Sequence, residues 1–149
     1  MTLLLDGTWS THGRDHKGAR WNLEKWQRQH LLREFPEIQH CFSGTINLTL
    51  DAALYVVRTD TTTTSIQWKP GVTERFSFLR VRFACPRDSD AVDAWIYLAH
   101  DSPHRNDPCS HEIMTTYHKL PTPECRVWID RPYRECEISY KPFRLILID

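Results

Sequence analysis

The segment at residues 41–51, CFSGTINLTLD, alternates apolar and polar side chains with a period of two. Successive side chains of a β-strand point to opposite faces, so its three aliphatic residues share one face. Thr45, Asn47 and Thr49 share the other face, directly after Gly44. The pattern predicts a strand with one face in a hydrophobic core.

The polar face of this strand has two interpretations. A threonine hydroxyl and an asparagine amide oxygen two residues apart are hard oxygen ligands of the kind that Mg²⁺ prefers, with phosphates and water completing the octahedron. Thr45 and Asn47 are therefore candidate metal ligands, and Gly44 lets a phosphate approach the backbone. The alternative is an ordinary solvent-facing surface, which the pattern alone favours.

Most of the remaining chain also has strand character. Eight short segments are rich in β-branched and aromatic residues, and Pro and Asp cluster between them. These segments are TINLTL, ALYVVR, TSIQW, RFSFLRVRFAC, DAWIYLAH, CRVWID, CEISY and FRLILID. Short, closely spaced strands predict a mainly β fold, namely a small closed or partly closed β-barrel or a tightly curled sheet.

A single helix is predicted from about Leu23 to Phe35. Asn22 is a favourable N-cap, and Pro36 ends the helix because proline disfavours helical continuation. The apolar residues form only a loose stripe, so we expect the helix to pack on the rim of a core.

Composition narrows the functional classes. The 149 residues fit one domain, 1–149, and Lys plus Arg equal Asp plus Glu at 19 each. Without a basic excess we expect no nucleic-acid partner, and without an apolar run of about 20 residues we expect no membrane span. Five cysteines without a CxxC pair, together with the absence of a signal-peptide pattern, predict reduced thiols and a cytoplasmic location. Composition leaves the oligomeric state open.

The segment Asp6–Trp21 reads as a glycine-containing first loop. Backbone amides of such a turn can cradle phosphate, and neighbouring basic side chains can neutralise it. The loop contains neither GxxxxGK[ST] nor GxGxxG, and a plain surface loop is the alternative. The candidate nucleotide-binding residues are Gly13, Arg14, Lys17, Gly18, Arg20 and Gly44.

A second polar segment runs from His104 to Met114. Arg105, His111 and Glu112 are predicted to lie in a proline-bounded loop that leads into a strand. Such a loop can bind a substrate or supply a general base, and a solvated connection is the alternative. The histidines of the chain lack the spacing of a zinc site.

These segments together resemble the archaeal-type riboflavin kinases, which use CTP. That family has a glycine-rich first loop, a short helix and a PGTLN motif on a strand, in the order of GTWSTHGRDHKGARW, the predicted helix and FSGTINLTL here. PHRNDPCSHEIMTT resembles a loose form of the family's later EI(I/V)AP region, so the resemblance spans most of residues 6–120. The family's proline is Ser43 here, its denser GxG arrangement is missing, and KLPTPECRVWID with further residues replaces its usual ending.

The resemblance implies a riboflavin-kinase-like barrel of the cradle-loop type that transfers a phosphoryl group from CTP, or ATP, to riboflavin or a similar small alcohol, giving FMN. In that family the motif's Thr and Asn hold Mg²⁺, which corresponds to Thr45 and Asn47. Glu112 is the candidate catalytic carboxylate, and Trp21 or Trp9 is a candidate for stacking on the flavin. Arg105 and His111 are the other candidate substrate-binding residues.

Two further interpretations belong to other classes. The departures from the family pattern favour a non-catalytic barrel that binds a nucleotide or a protein partner. A small β-domain that serves assembly is a third interpretation, which predicts a stable oligomer without a ligand.

Overall fold

A computed structural model describes residues 2–10, 27–41, 45–56, 59–85, 90–100, 107–116, 122–130 and 136–140. The described strands are β1 (Leu3–Ser10), β2 (Ile46–Leu50), β3 (Ala52–Val56), β4 (Thr61–Thr62), β5 (Ile66–Lys69), β6 (Val72–Glu74), β7 (Phe76–Ala84), β8 (Val92–Ala99), β9 (Ser110–Thr115), β10 (Glu124–Ile129) and β11 (Cys136–Tyr140). The described part of the chain also contains one short α-helix, α1 (Arg28–Glu34), and a 3-10 helix at Pro36–His40.

Six strands form a closed antiparallel barrel in the order β10-β1-β2-β9-β8-β7, and the pairing of β7 with β10 closes it. The predicted mainly β fold, a closed or partly closed barrel with one short helix, is thereby confirmed, and the barrel is closed. Two smaller pairs accompany the barrel, β3 with β11 and β5 with β6. The two-residue strand β4 adds to the edge of β7.

The barrel interior is filled by the apolar faces of its strands. Ile46, Leu48 and Leu50 of β2 are all at most 3% exposed and belong to this cluster. Facing strands contribute a matching set, which includes Leu79, Val81, Phe83, Ile96, Ile113, Val127 and Ile129. The polar row of β2 consequently lies on the outer face of the barrel, as the period-two pattern predicts.

The prediction that Asp6–Ser10 belongs to a loop is wrong, because β1 extends from Leu3 to Ser10. Leu5 and Gly7 are buried, whereas Leu4 and Asp6 are exposed, so the strand alternates in the fold. The run of three leucines conceals this alternation in the sequence. Pairing with β10 on one side and β2 on the other, and not local propensity, holds the segment extended.

Gly7 allows β1 and β2 to approach closely. A Cβ atom at this position would lie 2.4 Å from the Thr49 backbone oxygen. Because backbone atoms of a barrel strand move only with the strand, we expect Gly7→Ala to destabilise the protein by about 3 kcal/mol. Chemical denaturation of the variant measures this loss.

Gly71 supplies the control for that experiment. It lies in the turn between β5 and β6 with a φ of 77°, and a Cβ atom added there would meet no other atom within 4 Å. Gly71→Asn should cost about 1 kcal/mol or less, because asparagine tolerates this backbone conformation. Equal losses for the Gly7 and Gly71 variants would contradict the close-approach explanation.

The C-terminal region contributes a wall of the barrel. Strand β10 lies between β1 and β7, and Val127 pairs with Leu5 on one side and Phe83 on the other. This strand falls in the part of the chain that the riboflavin-kinase resemblance does not cover. The barrel therefore depends on residues after 120 for its closure, and β11 adds a partner for β3.

A second hydrophobic cluster lies on the outer face of β7, β8 and β9. Leu31 and Phe35 pack there with Phe78 and Met114, and the Phe35 and Phe78 rings stack with centroids 4.5 Å apart. Leu31 and Phe35 are both buried, so the prediction that the helix packs on the rim of a core is wrong for this part of it. Trp68 of the β5–β6 hairpin belongs to the same cluster, which is therefore a second hydrophobic core outside the barrel.

The helix ends where the sequence predicts, while its predicted beginning lies outside the described residues. α1 ends at Glu34, and Pro36 opens the 3-10 helix. Asn22, the predicted N-cap, and the predicted helical residues before Gln27 fall in an undescribed segment. No described helix is long and apolar enough to cross a membrane.

Four of the five cysteines belong to packed regions. Cys41, Cys85, Cys109 and Cys125 carry free thiols and are buried. Burial raises the pKa of Cys125 to about 12, and the neighbouring Cys85 acts in the same direction. A thiol with so high a pKa is a poor nucleophile, so this cysteine is a packing residue.

Candidate functional site

The polar row of β2 lies on the outside of the barrel between β1 and β9. Thr45 and Asn47 are partly buried, whereas Thr49 is exposed. Asn47 lies opposite Ser10 of β1 and opposite Glu112 of β9. The row is therefore more enclosed at Thr45 and Asn47 than at Thr49.

A hydrogen bond joins this row to Glu112. The Thr45 hydroxyl donates to Glu112 Oε1 at 2.8 Å, across 67 positions of sequence. Together with Asn47, which is the cross-strand neighbour of Glu112, these residues place a hydroxyl, an amide and a carboxylate in one patch. We call Thr45, Asn47 and Glu112 the oxygen patch.

The structure corrects the local context of Glu112. The sequence predicted a loop leading into a strand, but β9 already begins at Ser110. Glu112 therefore lies within a barrel strand, paired with Asn47 on one side and Tyr97 on the other. A strand holds a carboxylate more rigidly than a loop does, which favours a positioned acceptor.

Tyr97 and Gln27 are neighbours of the oxygen patch that sequence reasoning missed. The Tyr97 hydroxyl donates to Gln27 Oε1 at 3.1 Å, and both side chains are buried. Burial raises the pKa of Tyr97 well above its usual range, and the negative charges of Glu112 and Glu74 add to this effect. Tyr97 consequently remains a neutral hydrogen-bond donor that fixes the start of α1 beside the patch.

Two undescribed segments are connected to this region. Residues 11–26 follow Ser10 and precede Gln27, and residues 42–44 precede Thr45. The described residues that flank positions 11–26, namely Ser10 and Gln27, both neighbour the oxygen patch. Most candidate nucleotide- and substrate-binding residues fall outside the described residues, and their roles stay predictions; these are Gly13, Arg14, Lys17, Gly18, Arg20, Trp21, Gly44 and Arg105.

His111 is not brought to the oxygen patch. It shares the inner face of β9 with Ile113, whereas Glu112 lies on the outer face. Its Nε2 lies 2.8 Å from the Pro108 carbonyl oxygen, to which the ring nitrogen donates as the neutral tautomer. Burial lowers the pKa of His111, and the hydrogen bond to Pro108 opposes that shift.

Trp9, the second candidate for flavin stacking, also lies away from the patch. It packs against the barrel interior cluster, and its indole Nε1 donates to the Thr122 carbonyl oxygen. Trp9 pairs with Leu48, the inward-facing neighbour of Asn47. Trp9 is therefore a partly buried side chain that packs on the barrel interior.

The chemistry of the oxygen patch fits Mg²⁺. Among the described residues there is no group of three or more His, Cys, Asp or Glu that could hold a metal. A hydroxyl, an amide oxygen and one carboxylate are nevertheless hard donors, and Mg²⁺ commonly takes its remaining ligands from phosphates and water. The donor set suits a metal that arrives with a nucleotide better than one held by the protein alone.

Comparisons with known proteins leave the family open. The chain matches no family model and no curated protein. The resemblance to riboflavin kinases therefore depends on the motif and the order of segments described above. The geometry of the oxygen patch is an independent basis for a functional proposal.

Proposed function

We propose that the protein catalyses Mg²⁺-dependent transfer of a phosphoryl group from a nucleoside triphosphate, CTP or ATP, to the primary hydroxyl of riboflavin or a similar small alcohol. The observation that carries the proposal is the 2.8 Å hydrogen bond from Thr45 to Glu112, with Asn47 directly opposite that carboxylate. It brings together residues of two segments included in the family resemblance, GTIN and HEIM, although these segments lie far apart in sequence.

Thr45 and Asn47 are the residues that would hold the metal. Bound Mg²⁺ supplies neutralisation of the charge that develops on the transferred phosphate. The protein's contribution to phosphoryl transfer is mainly positioning, and side chains on a barrel strand are well suited to it because their spacing is fixed. The packed interior below β2 keeps both side chains on the outer face.

Glu112 is the group that would orient the acceptor alcohol. In the proposed step the acceptor oxygen bonds to the terminal phosphorus, the bond to the leaving nucleoside diphosphate breaks, and the hydroxyl proton passes to the Glu112 carboxylate. The Thr45 hydroxyl donates to one oxygen of this carboxylate. The carboxylate would therefore be shared between the metal site, through Thr45, and the acceptor hydroxyl.

The experiment that tests the proposal is a product assay. Purified protein is incubated with riboflavin and either CTP or ATP, with Mg²⁺ or with EDTA, and FMN is measured by chromatography with fluorescence detection. We expect FMN only when Mg²⁺ and a nucleotide are both present, with CTP preferred. Absence of FMN under all conditions would contradict a riboflavin kinase.

A non-catalytic nucleotide-binding barrel is the second candidate. It is favoured by Ser43 in place of the family's proline and by the sparse glycines of the first loop. It predicts that CTP binds, as calorimetry would detect, while no phosphoryl group reaches any acceptor. Turnover of CTP to CDP with transfer to an alcohol would exclude it.

A further inference from the structure

Arg28, at the beginning of α1, holds the turn that follows the helix. Its Nη2 donates to the carbonyl oxygens of Gln39 at 2.9 Å and Cys41 at 3.1 Å, and it lies 3.5 Å from that of Ile38. These contacts use one nitrogen of the guanidinium group. They tie α1 to the end of the 3-10 helix.

The other terminal nitrogen of Arg28 is unsatisfied. Nη1 is buried and has no hydrogen-bond partner among the residues that the structure describes. Within the described part of the chain no carboxylate pairs with Arg28, whereas Arg80, Arg82 and Arg126 each pair with an aspartate at 2.8–3.0 Å. A buried, unpartnered donor on a charged group is costly, so its retention calls for an explanation.

The position of Arg28 relates it to the oxygen patch in two ways. Arg28 donates to the carbonyl oxygen of Cys41, which lies four residues before Thr45. The Cα atoms of Cys41 and Thr45 are therefore at most about 14 Å apart. Gln27, the residue preceding Arg28, accepts the hydrogen bond of Tyr97, which pairs with Glu112. Burial raises the pKa of the Cys41 thiol to about 11, and the positive charge of Arg28 opposes this rise.

We propose that Arg28 binds a phosphate group of the nucleotide, with a phosphate oxygen accepting from Nη1. This inference rests on the function proposed above and adds a residue to it. A guanidinium fork matches phosphate geometry, and the anion would both accept from Nη1 and balance the positive charge of Arg28. Because Nη1 is covered in this structure, binding requires a local rearrangement beside Arg28.

The test uses inorganic tripolyphosphate as a probe of the nucleotide's phosphate chain, in the absence of a flavin. Isothermal calorimetry compares the wild-type protein with Arg28→Gln, Arg28→Lys and Arg33→Gln. Arg33 is an exposed residue in the last turn of the same helix and controls for the loss of one positive charge. We expect Arg28→Gln to weaken binding about 10- to 100-fold, Arg28→Lys to weaken it less, and Arg33→Gln to leave it within about twofold.

Folding is controlled separately, since Arg28→Gln also removes contacts to three carbonyls. Thermal unfolding identifies which variants are folded, and the Nε–H signal of Arg28 in the wild-type protein, assigned by its loss in Arg28→Lys, should shift on titration with tripolyphosphate. Unchanged binding by a folded Arg28 variant, an unmoved Arg28 signal, or no binding by the wild-type protein would each overturn the inference.

The outcomes separate this inference from the proposed function. FMN formation with an unchanged KM for CTP in folded Arg28→Lys and Arg28→Gln would overturn the role of Arg28 and leave the kinase proposal intact. Arg28-dependent binding of tripolyphosphate without FMN formation would support the phosphate site and contradict the choice of acceptor. Arg28-dependent binding of FMN but not of tripolyphosphate would overturn assignment to the donor.

Discussion

On the proposed kinase function, replacing Asn47 with alanine should lower Mg²⁺-dependent FMN formation by about 10²- to 10³-fold, which is the usual cost of removing one positioned group that stabilises developing charge. Asn47 lies between Ser10 and Glu112 on the outer face of the barrel, so truncating it removes an amide oxygen without opening the core. Thr45→Val should act in the same direction, because it removes the hydroxyl that donates to Glu112. Steady-state kinetics at several Mg²⁺ concentrations measures both effects.

The strand itself offers the matched control for these variants. Thr49 belongs to the same polar row, but it is exposed and pairs with Ser110, one step away from Glu112 on that face. Thr49→Val should leave the rate within about twofold, and Thr45→Ser, which keeps the hydroxyl, should retain most of the activity that Thr45→Val loses. Unchanged Mg²⁺-dependent nucleotide binding by Asn47→Ala and Thr45→Val would show that the metal site lies elsewhere.

Local pattern was sufficient to predict the faces of β2. The alternation of Ile46, Leu48 and Leu50 with polar residues fixes which side enters the core, because a shift of one residue would bury the polar row. Pro36 likewise predicts the end of the helix, since proline removes a backbone donor and disfavours a helical residue before it. Both predictions depend only on neighbouring residues.

The partners of that row were beyond local reasoning. Glu112 reaches Thr45 through the register of β2 with β9, and no property of either segment sets that register alone. Tyr97 and Gln27 form a hydrogen bond because the outer face of β8 packs against the start of α1. A carboxylate or an amide in a strand-like segment is a common surface residue, so its significance emerges only when the strands are paired.

Replacing Glu112 with glutamine should lower kcat by about 10²- to 10³-fold with a smaller change in the KM for nucleotide, as expected for a group that accepts a proton from the acceptor alcohol. Glutamine keeps the shape of the side chain and an oxygen that accepts from Thr45, so the patch retains its hydrogen bond while losing the negative charge. The same kinetic assay, run across pH, measures the effect.

Glu74→Gln is the control that isolates the position of the charge. Glu74 accepts a hydrogen bond from Trp68 Nε1 at 2.8 Å and, like Glu112, contributes to the raised pKa of Tyr97. Its neutralisation changes the electrostatics around Tyr97 without touching Thr45 or Asn47, so kcat should stay within about threefold. If Glu112→Gln behaves like Glu74→Gln, the carboxylate serves only as the acceptor that orients Thr45, and proton transfer must involve another group. A loss confined to Glu112→Gln, with kcat falling more than KM changes, places the negative charge at the reacting hydroxyl.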